Sequence, residues 1–337
     1  MRLGGGIRTV GWSRLGRYVI LALLVILAVK YVNGKAFLEH LDRSLFFAAL
    51  LIQPFVFLMV WLTAWRHGLI VSSQPPPLRF TVPAVVLAVG LNVLLPARAS
   101  EVLKASYLSD HAGLPLSRCI GAVFLERLAD LFLVGLMGWS ALVLLNLTLS
   151  PAAIALALVV PVGAIAVAIT GLKILDSRSE RASFPAFHSV TMMLRGVADQ
   201  LTPLGLGRLF GIGLLIWATA FALLAVFVSH AGSQPLSLPQ LLAVFVVTTL
   251  GSAVPALPGG IGTYQAAGVF ILARYGFGLE EALALTTAMQ LAIYVLMSPL
   301  ALIIAFRDGT GLRSIFLKAR EAFWASPAKS SKESNSK

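Results

Sequence analysis

Charge is scarce in this sequence. Asp, Glu, Lys and Arg supply 12% of the 337 residues, where a soluble domain carries roughly a quarter. Most of the chain therefore lacks an ordinary water-facing surface. Cysteine is scarcer still. Cys119 stands alone, which excludes an internal disulfide and a cysteine metal cluster. The histidines (His40, His67, His111, His188 and His230) are scattered with no pair at metal-ligand spacing, so no metal is expected. No glycine-rich loop ends in Lys-Ser or Lys-Thr, so neither an ATPase nor a nucleotide cofactor is expected.

Apolar residues fill the space that charge leaves. They make up 58% of the chain, with a mean hydropathy of +0.89. Several runs approach or exceed the roughly 18–20 residues that cross a bilayer. The composition implies an all-α polytopic membrane protein. The formal net charge of +12 then speaks to topology and not to nucleic acid, because basic residues gather in cytoplasmic loops.

Walking the chain gives a topology. Residues 1–17 carry Arg2, Arg8, Arg14 and Arg17 and are expected in the cytoplasm. Residues 18–306 form a single transmembrane domain, with full spans expected at 18–32, 44–65, 119–145, 151–172, 209–229 and 282–306. The 66–79 segment, with Arg66, His67 and Arg79, reads as a cytoplasmic loop, as does the basic 173–208 stretch. The basic tail 307–337 is also cytoplasmic. The apolar segments before Pro96 and before Val254 are short for a crossing. With both termini inside, parity holds if 80–112 and 240–275 are re-entrant hairpins; paired full crossings would also preserve it.

The two hairpins resemble each other. Pro96-Ala-Arg-Ala-Ser leads to Gly113-Leu-Pro and then a long helix; Pro258-Gly-Gly-Ile-Gly leads to Gly276-Phe-Gly and then another. Gly113 precedes Arg127 by fourteen residues, and Gly276 precedes Gln290 by the same fourteen. Repeat one covers 18–145 and repeat two 151–306. With an odd number of crossings in each, the second copy is inverted. Broken helices in inverted repeats face a central site in transporters, because irregular backbone at depth must be buried or line a polar cavity. The competing reading makes Pro258, Gly259, Gly260 and Gly262 a plain loop between short crossings.

Intramembrane charge weighs against the plain loop. Glu126, Arg127 and Asp130 lie within an apolar helix, and Glu126 falls about 16 Å along it, near the bilayer midplane. An ionisable group there costs about 2.5–3.5 kcal/mol on insertion. Arg127 can reach Asp130 three residues on. That pair either neutralises itself between helices or forms a polar site whose guanidinium forks onto an anion such as phosphate. Around the first turn, Glu101 and Lys104 can pair, leaving Arg98 near a helix N-terminus for an anion. The second hairpin offers only the neutral Tyr264, Gln265 and, on the following helix, Gln290.

LPARASEVLKASYLSDHAGLPLSRCIGAVFLERLADL resembles the first signature of the lysylphosphatidylglycerol synthase transmembrane-region family, also described as flippase-like. That signature reads as a Pro-Gly-Arg-x-Gly-Glu turn, then Gly-Leu or Gly-Val, then Glu-Arg-x-x-Asp. PALPGGIGTYQAAG and ARYGFGLEEALALTTAMQLAIY resemble the second. The likeness spans most of residues 10–306 and points to Pro96, Arg98, Glu101, Glu126, Arg127, Asp130, Pro258, Gly259, Gly260 and Gly262. The sequence departs from the pattern at Ala97 and Ser100, where glycines are usual. Gln265 and Gln290 stand where glutamate and arginine are common. A neutral second half implies a different headgroup or a site that relies on the first half alone.

The resemblance implies a role with envelope lipids. Members are implicated in moving aminoacylated phospholipids, and relatives in handling polyprenyl-linked sugars or other envelope lipids. In the multiple-peptide-resistance type a soluble aminoacyl-transfer domain follows the membrane region. Here residues 307–337 follow the last span, so that activity is not expected. The function implied is translocation, in a bacterial inner membrane, of a lipid with an anionic headgroup. Movement would be downhill or ion-coupled, with Glu126 or Asp130 as proton carriers. The alternatives are an accessory subunit of a partner lipid-modifying enzyme, or an integral-membrane enzyme of lipid or polyprenyl-linked glycan metabolism. Such an enzyme would want an interfacial acid-base or metal cluster, and the 173–208 loop shows none.

Overall fold

The computed structural model describes Lys30 and residues 32–95, 99–146, 202–254 and 257–308. Among these residues every regular element is helical. They are α1 (Gly34–Glu39), α2 (Arg43–Leu51), α3 (Gln53–Val71), α4 (Leu78–Gly90), α5 (Ala99–Ala112), α6 (Leu116–Leu144), α7 (Pro203–Ala231), α8 (Leu238–Ala253), a single 3-10 turn (Pro258–Gly260), α9 (Thr263–Ala273) and α10 (Leu279–Arg307). Nearly all of the span expected at 18–32, the span at 151–172, Pro96, Arg98, most of the 173–208 loop and nearly all of the tail lie outside the described residues.

Local chemistry sets the helix ends. The Asp42 carboxylate accepts from the backbone N–H groups of Ser44 at 3.0 Å and Leu45 at 3.2 Å, capping α2. Ile52 joins α2 to α3, and Pro54 sits in the first turn of α3, where a missing N–H costs nothing. Thr202 caps α7 through its hydroxyl, which accepts from Gly205 N–H at 3.1 Å, so this helix opens at Pro203 and not at Leu209 as the charge pattern suggests. On α8, Gln240 accepts from Ser237 N–H at 2.8 Å.

Length then sorts the helices by what they can cross. Arg43–Val71, Pro203–Ala231 and Leu279–Arg307 are each 29 residues long and apolar, or about 43 Å at 1.5 Å per residue. That exceeds a hydrocarbon core of roughly 30 Å. α6 has the same length but carries Arg118, Glu126, Arg127 and Asp130. α4 and α8, with 13 and 16 residues, reach only about 20 and 24 Å. Phe46, Phe47, Phe57, Trp61, Phe270, Val295 and Phe306 are exposed. In water such a surface would be an aggregation liability; around membrane-crossing helices it faces lipid.

The second expected span needs correction. Its helix does not stop at Trp65 but runs on to Val71, because Gly68-Leu-Ile-Val continues the apolar face past the charged pair. Arg66 and His67 are therefore buried helical residues, 1% and 0% exposed, and not loop residues.

Packing follows a recurring pattern. α4 packs on α10 as α8 packs on α6. α4 meets α5 as α8 meets α9, α5 meets α6 as α9 meets α10, and α3 meets α6 as α7 meets α10. Small residues allow the close crossings. A Cβ at Gly90 would lie 2.2 Å from the Met297 carbonyl oxygen, so α4 rides directly on the α10 backbone, and Ser298 Oγ donates to Gly90 O at 2.8 Å. At one end of the bundle Tyr107, on α5, donates to Asp308, just past α10, at 2.7 Å. The α7–α8 connection meets the far end of α10, where Glu281 accepts from Ser233 N–H at 2.8 Å. There Gln234 also donates to Gly276 O at 2.9 Å, beside the end of α9.

Candidate functional site

A cavity of about 650 Å³ opens between the two sets of helices. Its walls differ in kind. One carries ionised side chains from α3, α5 and α6: Arg66, Glu101, Lys104, Arg127 and Asp130. The opposite wall is the Pro258–Gly260 turn with Tyr264, Gln290 and Tyr294. Apolar residues such as Met59, Val89, Leu131, Ile216 and Phe245 lie between them.

The ionic wall is a network. Arg66 makes a two-pronged contact with Asp130, Nη1 to Oδ1 at 2.7 Å and Nη2 to Oδ2 at 3.2 Å. Trp217 Nε1 donates to the same Oδ1 at 3.0 Å. Lys104 Nζ lies 3.0 Å from both Glu101 Oε2 and Glu126 Oε2. Arg66 Nε approaches Glu126 Oε1 at 3.6 Å, and His67 Nδ1 approaches the same oxygen at 3.2 Å. Arg127 reaches Glu101 at 3.5 Å and Asp130 at 3.4 Å. Among the described residues, with His67 neutral, three cations (Arg66, Lys104, Arg127) balance three carboxylates (Glu101, Glu126, Asp130).

Exposure divides the members of this network. Arg66, His67, Lys104 and Glu126 are sealed at 0–1%, whereas the side chains of Arg127 and Glu101 are 37% and 24% exposed. The buried groups hold one another at short distances. Arg66 and Lys104 each hold a carboxylate at 3.0 Å or less, whereas the carboxylates nearest Arg127 among the described residues lie at 3.4 and 3.5 Å. A guanidinium held loosely at a cavity wall is chemically suited to fork onto an oxyanion.

The neutral wall is held by amides. Gln265 Oε1 accepts from Gly262 N–H at 2.7 Å, its Nε2 donates to Gln290 Oε1 at 2.7 Å, and Gln290 Nε2 donates to Gly259 O at 2.9 Å. This chain fixes a turn in which Gly259 and Gly260 take φ of 68° and 70°. Gly259 also lies against the other half of the protein. A Cβ there would be 2.9 Å from Tyr294 Oη and 3.4 Å from Val93 Cα. Asn92 donates to Tyr294 Oη at 3.3 Å, and Ser100 donates to Asn92 at 3.2 Å. The residues flanking the first break thus meet the second turn. Tyr264 is buried, with Oη 3.8 Å from Met289 Sδ.

The structure gathers Glu101, Lys104, Glu126, Arg127 and Asp130 on one wall and Tyr264, Gln265, Gln290 and the glycine turn at the other. Asp130 has a closer partner than the Arg127 expected for it, namely Arg66. Arg66, His67, Trp217, Asn92 and Tyr294 were not legible as site residues. For Arg66 and His67 one signal was available, the apolar run that follows them. Trp217, Asn92 and Tyr294 reach the site only through the fold.

The family model described as lysylphosphatidylglycerol synthase TM region matches residues 14–301. The chain belongs to that family. No curated protein and no solved structure matches it. Family membership makes this a membrane protein associated with membrane lipids, and the cavity with one ionic and one neutral wall is the feature to be read against that association.

Proposed function

We propose that this protein is a lipid translocase, moving an envelope lipid with an anionic headgroup between leaflets without hydrolysing ATP. The observation that carries the proposal is the cavity itself. An anionic group can settle against Arg127 while acyl chains extend along the apolar lining toward lipid. The substrate-facing set is Arg127, Glu101, Lys104 and Asp130, with Tyr264 and Gln290 opposite. The sealed Glu126 and Arg66 hold the ionic wall in place.

The proposed architecture is an inverted repeat of two re-entrant hairpins, α4–α5 and α8–α9. Three observations support it. α4 and α8 are too short to cross. Each hairpin closes on its own end of the bundle, α5 at Asp308 and α9 at Gln234. The helix contacts also recur under exchange of α3–α6 with α7–α10. Cavities at such repeat interfaces hold transported substrates near the midplane.

The test is reconstitution. Purified protein in vesicles carrying a trace of fluorescent phosphatidylglycerol is treated with dithionite, which bleaches the outer leaflet. The account predicts a loss beyond the roughly half bleached in protein-free vesicles, independent of ATP. Bleaching that stops at the protein-free level with anionic, zwitterionic and polyprenyl-phosphate probes alike would remove the translocase reading.

A further inference from the structure

The charge balance of the ionic wall carries a consequence for what travels with the lipid. Among the described residues, three cations and three carboxylates cancel when His67 is neutral. An anionic headgroup docking on Arg127 leaves this low-dielectric network with one unbalanced negative charge. Buried charge without a partner is strongly disfavoured, so a compensating positive charge is needed.

His67 is placed to supply it. The residue is fully buried, and among the described residues neither ring nitrogen has a protein group in hydrogen-bonding geometry. Nδ1 lies 3.2 Å from Glu126 Oε1, an oxygen that is itself without a hydrogen bond. Burial opposes a charge on the ring and the Glu126 carboxylate favours it, so an imidazolium forms against its carboxylate partner only when the network carries excess negative charge. The other charged groups that bear on His67 are Lys104 and Glu101 from α5; Arg66 precedes it on α3, and α6, which packs on α3, also carries Arg118, Arg127 and Asp130. α2, α4, α7 and α10 also pack on α3. Of their ionisable groups, Arg43, Arg79, Arg208, His230, Glu280, Glu281 and Arg307 sit within two turns of a helix end, and Tyr294 lies mid-helix on α10. His67 lies four residues before the end of α3 at Val71, or about 6 Å along the axis.

We propose that binding of an anionic lipid is coupled to uptake of one proton by the His67–Glu126 pair, so that lipid and proton move together. The coupling rests on the lipid reading above, and it assigns the energy source that reading leaves open. When the lipid leaves, the network returns to balance by releasing the proton. Linkage fixes the sign. Where one proton is taken up per lipid, affinity for an anionic lipid rises about tenfold for each unit fall in pH.

The experiment is calorimetric titration of the purified full chain in neutral detergent with dihexanoyl phosphatidylglycerol. It is run at one pH in two buffers of different ionisation enthalpy, with dihexanoyl phosphatidylcholine as the zwitterionic comparison. The account predicts about one proton taken up per phosphatidylglycerol and none per phosphatidylcholine. In His67→Gln, uptake is lost and affinity for the anionic lipid becomes flat with pH. Glu126→Gln leaves the network one charge positive, so it binds phosphatidylglycerol without proton uptake. Binding of phosphatidylglycerol by wild type with no proton uptake overturns the coupling and leaves the lipid reading standing. Unchanged uptake in a folded His67→Gln protein overturns the assignment to this pair. Failure of wild type to bind either lipid overturns the lipid reading, and the coupling with it.

Discussion

The two walls of the cavity are built by opposite means. The first-half wall uses full charges, with Arg66, Lys104 and Arg127 laced to Glu101, Glu126 and Asp130. The second-half wall uses backbone and amides, with Gln265 and Gln290 holding the Gly259 turn. Arg127 and Gln290 each lie fourteen residues after a glycine, Gly113 and Gly276, that ends a hairpin. Both of those glycines take positive φ, 66° and 90°. Placement is thus shared, and chemistry is not. A charged wall can attract and orient an anion but costs dearly to desolvate; a neutral wall gives shape at little electrostatic cost. On the proposed function, one half of the protein recognises the ligand and the other frames it.

Substitutions can break this comparison, and the largest effects belong to the charged wall. Removing the Glu126 side chain as Glu126→Ala leaves Lys104 and Arg66 facing each other without their shared carboxylate. Breaking a buried pair in this way costs roughly 3–5 kcal/mol, and Arg66→Ala is expected to do the same through Asp130. Thermal unfolding in detergent reads the effect; a melting temperature equal to wild type would mean that the network is not what holds α3, α5 and α6 together.

Gly259→Ala comes next. The substitution places a Cβ 2.9 Å from Tyr294 Oη in a left-handed conformation, which costs on the order of 1–3 kcal/mol. Here the damage is steric and local to the meeting of the two turns. Pairing Gly259→Ala with Tyr294→Phe separates the two contributions, since the phenylalanine removes the crowded oxygen and restores part of the loss. No recovery in the double variant would put the whole effect in the backbone.

Smallest are the amides. Gln265→Ala and Gln290→Ala each delete neutral hydrogen bonds worth about 0.5–1.5 kcal/mol apiece. A modest drop in melting temperature with little change in ligand affinity is expected. A loss as large as that of Glu126→Ala would erase the distinction between the walls.

The sequence exposed some parts of this design and hid others for physical reasons. Composition and the long apolar runs made the membrane class legible, because lipid demands both. Glu126, Arg127 and Asp130 stood out because charge in an apolar helix has few innocent explanations. Arg66 and His67 did not. A charged pair beside Trp65 looks like a span ending in the cytoplasm, and only the burial of Gly68, Ile70 and Val71 against the bundle shows that the helix continues. Trp217 and Tyr294 were hidden more deeply. Aromatic residues are ordinary in membrane helices, and their contacts with Asp130 and Asn92 span 87 and 202 residues of chain. Pairings at that separation are set by helix packing and leave no local periodicity to read.

The claim at the centre of the account is that Arg127, loosely held on the charged wall, receives the anionic headgroup while the neutral wall only frames it. Dithionite bleaching of fluorescent phosphatidylglycerol in vesicles containing wild type, Arg127→Ala or Gln290→Ala tests it most directly. The account predicts that Arg127→Ala abolishes protein-dependent bleaching of the inner leaflet and that Gln290→Ala retains most of it. Undiminished bleaching in Arg127→Ala, beside loss in Gln290→Ala, would contradict it.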